Sequence, residues 1–159
     1  MLKSNPMSTL TEILLVPGTR PKVVADCVRL VDEEVDSKGG LSGIAIKAAY
    51  MVVKAVKPGF IPEAVDHMLD DFVRRLEPFH TEAQQKNEPV GPFLNARVGL
   101  VSDALLAISD ERAARAKNQT VKKAYEKLRP SAKKNVEAAI PRVGRLIGKY
   151  AATSPTPVA

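Results

Sequence analysis

Two short segments hold the side chains of this sequence whose types and spacing best suit the binding of an anion. Residues 46–50 are IKAAY and residues 121–125 are VKKAY, and each ends in one of the chain's three tyrosines. In both, one cation lies three residues before the tyrosine and another four residues after it, so the three side chains share one helical stripe. Two cations beside a phenol donor would suit a phosphate or a carboxylate. These two tyrosine stripes are Lys47, Tyr50 and Lys54, and Lys122, Tyr125 and Arg129.

A structural role also explains the spacing of the tyrosine stripes, and it is the interpretation we favour. Lysine and tyrosine bury apolar stems while their polar tips stay in water, so such a stripe suits the border of a packed helix. The functional alternative is a pocket between the two halves of the chain, near Tyr50 and Tyr125, with Lys47 and Lys54 beside it. A pocket of that kind would belong to an enzyme or to a small-ligand-binding protein.

The strongest electrostatic feature of the sequence is its basic C-terminal region. Residues 112–149 contain twelve Lys and Arg against two Glu, a local net charge of +10, whereas the whole chain carries +6. The rest of the chain therefore has a net charge of −4. A surface with such an excess of one sign attracts partners of the opposite sign. The candidate residues for binding an anionic partner are Lys122, Lys123, Lys127, Arg129, Lys134, Arg142, Arg145 and Lys149.

From this basic region we predict a non-catalytic binding module that contacts an acidic protein or the backbone of a nucleic acid. Aromatic residues make up only 4% of the chain and no known reader motif is present, which argues against base-specific recognition. An anionic membrane surface is a weaker candidate, because the core should cover the apolar face of the basic helix. The plainest alternative is a solvated face that balances acidic residues on the other helices.

Residue patterns that support metal or covalent chemistry are sparse. His67, Asp70 and Asp71 have ligand spacing on a helix, but two arginines follow them, so ion pairs explain these side chains better. Cys27 lies on an apolar face with no histidine near it in sequence. Neither a nucleophile motif nor a phosphate-binding loop occurs. We therefore expect no catalytic centre, no metal and no cofactor.

The elements that would position these residues are all helical. Apolar residues recur with a helical period along the whole chain, which predicts an all-α, compact multi-helix bundle of about eight helices. The helix predicted over 43–57 is apolar almost all round, so we expect it to pack at the centre of the bundle. Capping signals are Thr9 with Glu12, and Ser42. The predicted helices cover residues 9–16, 20–35, 43–57, 62–76, 94–108, 110–117, 120–129 and 131–149.

The tyrosine stripes also indicate an internal duplication. At an offset of 75 residues Tyr50 aligns with Tyr125, and at an offset of 77 residues Asp26 aligns with Asp103, with other matches in the same order. A unit of this size cannot bury its apolar face alone, so the two halves would share one core. We predict a flexible N-terminus at 1–8, a single domain at 9–150 with pseudo-repeats over about 12–76 and 93–150, a linker at 77–92, and a disordered tail at 151–159.

Four runs of the sequence are distinctive: IKAAY (46–50), KPGF (57–60), DALLAISD (103–110) and VKKAYEKLRPSAKK (121–134). In these runs the chain resembles a small bacterial family known only as a domain of unknown function, over about residues 12–150. The resemblance implies a bacterial, single-domain helical protein, and it supplies no activity, cofactor or site. A single cysteine suits a reducing compartment, and no apolar run is long enough to span a bilayer, so we expect a cytoplasmic protein.

Overall fold

The computed structural model describes residues 8–153, and that part of the chain is all-α, with no β-strand. The predicted fold class is therefore confirmed. The helices are joined by short turns, and from α2 onward each helix packs on the next one in the chain, whereas α1 packs on α4 and α7. In chain order they are α1 (Leu10–Leu14), α2 (Arg20–Ser37), α3 (Gly40–Val56), α4 (Phe60–Gln85), α5 (Val90–Asn95), α6 (Val98–Ala114) and α7 (Gln119–Thr153).

The described residues form seven helices, not eight, because some predicted breaks are absent. Helix α7 continues through Pro130 and Pro141, and α6 continues through Ser109, which lies between two of the predicted helices. The predicted linker at 77–92 is also wrong over most of its length, since α4 runs through Pro78 to Gln85. A helix can continue through proline when packing on neighbouring elements compensates for the missing backbone hydrogen bond.

The helix ends show which of the predicted capping residues do cap a helix. Thr9 and Glu12 form the predicted capping box at the start of α1, each side chain accepting a hydrogen bond from the other residue's backbone N–H. Ser42, by contrast, is not a cap, because α3 begins two residues earlier, after the extended Gly39. Gly59 adopts the left-handed conformation (φ +81°) between α3 and α4, which glycine tolerates without strain.

The N-terminal helix α1 is fixed to α4 by buried polar contacts. The Glu77 carboxylate accepts hydrogen bonds from the backbone N–H of Leu10 at 3.0 and 3.1 Å. The imidazole Nε2 of buried His80 donates to the carbonyl of Ser8 at 2.9 Å. Ser8 is itself buried, so the predicted flexible N-terminus does not include it, and residues 1–7 lie outside the described part.

The C-terminal end of the domain differs from the prediction in a similar way. Residues 151–153 belong to α7 and not to the predicted tail, whereas residues 154–159 lie outside the described part. Buried Tyr150 shows that the last turns of α7 still pack on the core. The helix is therefore stabilised by tertiary contacts close to its end.

The long helices α4 and α7 organise the bundle. Each of them contacts α1, α2, α3, α5 and α6, and in the described residues no comparable contact joins the two to each other. The most deeply buried side chains on these helices are aliphatic, including Val73 of α4 and Ile140 and Ile147 of α7. The smaller helices therefore fill the space around α4 and α7 and hold them apart.

Helix α3 occupies a different place from the predicted one. It buries Gly43, Ile46 and Val53, but it leaves large apolar side chains such as Ile44 and Met51 in solvent. The expectation of a central helix is therefore wrong. All-round apolarity marks a helix that is covered on all sides, and in the described residues α3 is covered on one side only.

A close backbone contact joins α5 to α7. A Cβ atom added to Gly144 would lie 2.9 Å from the Cα of Gly91, so only glycine fits at position 144 without displacing a helix. One turn later in the same helix, a Cβ on Gly148 would have no neighbour within 4 Å. The pair offers a matched test of the packing between α5 and α7.

We predict opposite effects for the same substitution at these two glycines. Gly144→Ala should lower the free energy of unfolding by roughly 1–3 kcal/mol, because the added methyl overpacks a backbone contact. Gly148→Ala should raise it by up to about 1 kcal/mol through helix propensity. Urea unfolding followed by far-UV circular dichroism measures both, and equal effects would contradict the described crossing of α5 over α7.

Candidate functional site

A cavity of about 430 Å³, partly open to solvent, lies between the helices of the bundle. It is bounded by α2 and α4 on one side and by α6 and α7 on the other, with Leu14 of α1 and Ile46 of α3 contributing to its wall. It occupies the space that keeps α4 and α7 apart. Its volume falls within the range of small-molecule binding sites, roughly 300–1,000 Å³.

The cavity wall is almost entirely apolar. Leucine and phenylalanine side chains of α4, α6 and α7 form much of it, and smaller residues leave room on α2 and α7. The smaller residues include Val31, Val35, Ala132 and Ala139. Five wall residues have polar or charged side chains, namely Glu34, Lys38, Ser109, Tyr125 and Asn135.

The cavity is open to solvent along part of its boundary, because wall residues such as Val31, Val35 and Ala139 are only partly buried. Water can therefore enter it, but the apolar wall offers that water few hydrogen-bond partners. Displacing poorly bound water by an apolar group is favourable, so the cavity suits an apolar ligand.

Cys27 contributes its thiol to the cavity wall. Burial raises the pKa of this thiol to about 11, and the nearby Asp26 carboxylate adds to the shift. The thiolate is the reactive form of cysteine, so at neutral pH this side chain behaves as a small apolar group. That agrees with the structural role that its place in an apolar run indicates.

At one end of the cavity the phenol of Tyr125 is held by a polar cluster. Its Oη donates a hydrogen bond to the carboxylate of Asp110 at 2.5 Å and lies 2.8 Å from Oγ of Ser109. Arg129 donates to both carboxylate oxygens of Asp110, at 2.8 and 3.1 Å. Burial and the Asp110 carboxylate raise the pKa of Tyr125 to about 12. The phenol is thus a neutral hydrogen-bonding group at the cavity wall.

A second polar cluster lies where α2 meets α7. Glu34 accepts from Lys38 at 3.0 Å and from Nε of Arg142 at 2.5 Å, and both Glu34 and Lys38 line the cavity. Arg142 also donates to Glu33 at 2.8 Å. These contacts pair the charges of Glu34, Lys38 and Arg142 within the protein.

All three tyrosines of the chain donate to aspartates on a neighbouring helix. Tyr50 on α3 donates to Asp32 on α2, and Tyr150 on α7 donates to Asp26 on α2 at 2.5 Å. In both tyrosine stripes the later cation lies near the same carboxylate: Lys54 is 4.0 Å from Asp32, and Arg129 is bonded to Asp110 as described above. The anion that each stripe contacts is therefore an aspartate of the same chain.

The structure separates the residues predicted for a pocket. Tyr125 lines the cavity, whereas Lys47, Tyr50 and Lys54 do not, although Ile46 of the same helix does. The sequence could not reveal the other wall residues, because they follow the same apolar period as an ordinary core. The sequence feature that could have indicated a cavity is side-chain size, since the inward faces of α2 and α7 are rich in Val, Cys and Ala and the chain has no Trp.

The eight cations predicted to bind an anionic partner divide into two groups. Arg129, Arg142 and Lys149 form ion pairs with Asp110, with Glu33 and Glu34, and with Asp26, respectively. The other five have no acidic partner within 4.0 Å among residues 8–153. These five, which we call the unpaired cations, are Lys122, Lys123, Lys127, Lys134 and Arg145.

The described residues contain neither a metal-binding cluster nor a helix that could span a membrane. No group of three or more His, Cys, Asp or Glu side chains there is arranged to hold a metal ion. Asp66 and Asp70 instead pair with Arg20, and Asp71 pairs with Arg74 and Arg112. Among the helices in this part of the chain, none has both the length and the hydropathy needed to cross a bilayer.

These features define an all-α bundle with an apolar central cavity. The sequence matches the model of a family of unknown function, DUF6918, over residues 10–151, so the chain belongs to that family. The resemblance to a domain of unknown function is thereby confirmed. No curated protein and no solved structure matches the chain.

The Asp–Tyr contacts predict how the stability of the protein depends on pH. Hydrogen bonds from Tyr150 and Lys149 hold the pKa of Asp26 below its ordinary value of 3.8, and hydrogen bonds from Arg129 and Tyr125 do the same for Asp110. A carboxylate whose pKa is lower in the folded state stabilises that state above its unfolded pKa. This stabilisation is lost as the pH falls through the folded-state pKa.

We therefore expect the free energy of unfolding to fall as the pH is lowered from about 5 to about 2, and Asp26→Asn to reduce that dependence. The same variant should be less stable than the wild type at pH 7. Urea unfolding at a series of pH values measures both effects. Asp103→Asn is the control, because its ion pair with Lys133 is solvent-exposed and should contribute little. An Asp26→Asn variant with the wild-type slope would contradict the assignment.

Proposed function

We propose that this protein binds a small apolar or single-headed amphiphilic molecule in the cavity between α2, α4, α6 and α7. The cavity itself is the observation that supports the proposal, because it combines a volume of about 430 Å³ with a wall that has few polar groups. An apolar cavity of about 150 Å³ already binds benzene. The larger space suits an acyl chain, an isoprenoid or a fused-ring hydrocarbon.

The polar groups at the wall indicate what kind of head group such a ligand would carry. The neutral phenol of Tyr125 can accept a hydrogen bond, and Lys38 adds a cation close to the apolar interior. A carboxylate or hydroxyl at one end of the ligand would match them. The Cys27 thiol at the wall stays protonated at neutral pH, and Glu34 is paired with Lys38 and Arg142, so binding, transport or sensing fits better than catalysis.

The compartment in which this binding takes place is also part of the proposal. We infer that the protein acts in a bacterial cytoplasm. One cysteine in 159 residues, and that one facing the cavity as a free thiol, supports a reducing compartment. The absence of a bilayer-spanning helix in the described residues is compatible with it.

Filling the cavity tests the proposal. The neutral fluorophore N-phenyl-1-naphthylamine should bind the wild type saturably, and fatty acids of increasing chain length should displace it. Ala139→Leu directs a larger side chain into the cavity and should weaken the affinity at least tenfold. Ala138→Leu, at the exposed neighbouring position on α7, is the matched control and should leave the affinity unchanged.

The thermal stability of the same variants distinguishes a binding site from a defect. If the wild type binds no probe while Ala139→Leu raises the melting temperature, the space is only a void and the proposal is wrong. If the wild type binds the probe and Ala139→Leu removes binding without loss of helicity, the proposal is supported. The thiol of Cys27 gives a second readout, since ligand in the cavity should slow its alkylation.

A second candidate function rests on the unpaired cations, which have no acidic partner in the described residues. They would bind an acidic protein or a nucleic-acid backbone without sequence specificity. Lys122, Lys123 and Lys127 lie on the first turns of α7, and Lys134 and Arg145 lie further along it. Their positive charge would act mainly through long-range attraction and hence would depend strongly on salt.

Charge substitution tests this surface. The triple variant Lys122→Gln, Lys123→Gln and Lys127→Gln should weaken binding to a mixed-sequence DNA duplex at 20 mM salt by at least tenfold. It should leave the melting temperature unchanged, since these side chains form no ion pair in the described residues. Fluorescence anisotropy over a salt series measures the affinity. Wild-type binding that is absent, or insensitive to salt, would exclude the electrostatic surface.

A further inference from the structure

Helix α3 presents an apolar face to solvent on the side opposite its buried face. The exposed large side chains are Leu41 (87% exposed), Ile44 (65%), Met51 (70%), Val52 (46%) and Val56 (47%). Ala45, Ala48 and Ala55 are exposed between them. At 100° per residue, these eight residues lie within about 140° of arc. We call this surface the α3 face.

The α3 face has the size of an interaction site. Its exposed side chains present on the order of 500 Å² of apolar surface, a size at which patches on monomers are often functional. Burying the same face on two molecules would remove roughly 1,000 Å² from water, which reaches the lower limit for a specific interface. The area is therefore sufficient for one helix to pack against an equivalent helix.

We propose that the α3 face binds a second copy of this chain, so that two α3 helices pack antiparallel across a two-fold axis. Exposed residues follow the heptad spacing of a helix–helix seam, at positions 41, 44, 48, 51 and 55. The middle position is Ala48, a small residue that allows the two backbones to approach closely. The antiparallel arrangement also sets Leu41 of one copy opposite Ala55 of the other.

The charges around the α3 face favour a second copy over an anionic membrane. Helix α3 has no acidic residue, but Lys54 lies 4.0 Å from Asp32 and Lys57 lies 3.1 Å from Glu63. Acids of the same chain thus offset much of the positive charge beside the face. This weakens both the attraction to anionic lipid and the repulsion between two copies.

The composition of the α3 face also favours a second copy over a membrane. Interfacial membrane helices insert Trp, Phe and Leu into the lipid head-group region. The one aromatic residue of α3 is Tyr50, which points toward α2 and donates to Asp32. Three alanines on the face are too small to penetrate lipid to any depth, whereas they suit close helix packing.

Mass measurements test the dimer. Sedimentation equilibrium of the wild type at 10–100 µM should give twice the 17.2 kDa chain mass. Ile44→Glu and Met51→Glu should each give the monomer mass with unchanged helicity, because both side chains are exposed within one chain. Leu100→Glu is the matched control: it replaces an exposed large aliphatic residue on α6 and should leave the dimer intact.

Cysteine cross-linking tests the geometry. In a Cys27→Ala background, Ala48→Cys should form an intermolecular disulfide under mild oxidation, because the two-fold axis passes beside this position. Leu41→Cys should not form one, since its counterpart would lie at the far end of the partner helix. Efficient cross-linking of Leu41→Cys would indicate a parallel pair and overturn the antiparallel arrangement.

Two results would overturn the dimer itself. One is a monomer mass for the wild type at 100 µM, and the other is a dimer that survives both glutamate substitutions on α3. Flotation with vesicles containing one-third phosphatidylglycerol tests the alternative partner of the α3 face, an anionic membrane. Vesicle binding by a monomeric wild type, abolished by Met51→Glu, would assign the α3 face to a membrane. Because the mass and flotation measurements use substitutions outside the central cavity, their failure leaves the ligand proposal unaffected.

Discussion

The packing problem at the centre of the bundle determines most of the other features of this structure. The backbones of the two longest helices, α4 and α7, stay apart, although buried side chains of both belong to one hydrophobic core, and a partly open cavity lies among the helices. Close packing normally supplies much of the favourable energy of folding. Here the contacts among the surrounding helices must hold a wall around a space instead of collapsing into it.

Polar contacts between neighbouring helices fix the positions of the helices that form this wall. Tyrosines on α3 and α7 each donate to an aspartate on the adjacent helix, and Arg142 joins α7 to two glutamates of α2. Such contacts add orientation more than net stability, since exposed ion pairs contribute little. Their function in this fold is to keep α2, α6 and α7 at defined distances while the interior stays open.

The parts of this structure that could be predicted from sequence are those set by local rules. The Thr9–Glu12 capping box and the helical period of the apolar residues depend on neighbours within one turn, and both were correctly assigned. The helix end predicted after Leu76 is wrong, because α4 continues through Pro78. Leu76 and His80, on either side of this proline, are buried and hold the helix in place.

The site was harder to predict, because it depends on distances between elements. Val31 and Ala139 look like core residues in the sequence, and only the separation of their helices turns them into a cavity wall. The exposed face of α3 was missed for a related reason. An apolar helix is expected in the interior, and the sequence of a single chain does not show that one side of it stays uncovered. The acidic partners of Arg142 were equally hidden, more than one hundred residues away along the chain.

The position of α7 in the chain has a consequence for biosynthesis. This helix contacts five of the other six helices in the described residues, and it is translated after all of them. The apolar surfaces of α2, α5 and α6 that pack on α7 therefore stay uncovered until α7 has been synthesised. Uncovered apolar surface on a partly synthesised domain favours aggregation. The interval before α7 emerges is therefore one in which the domain is prone to misassociation.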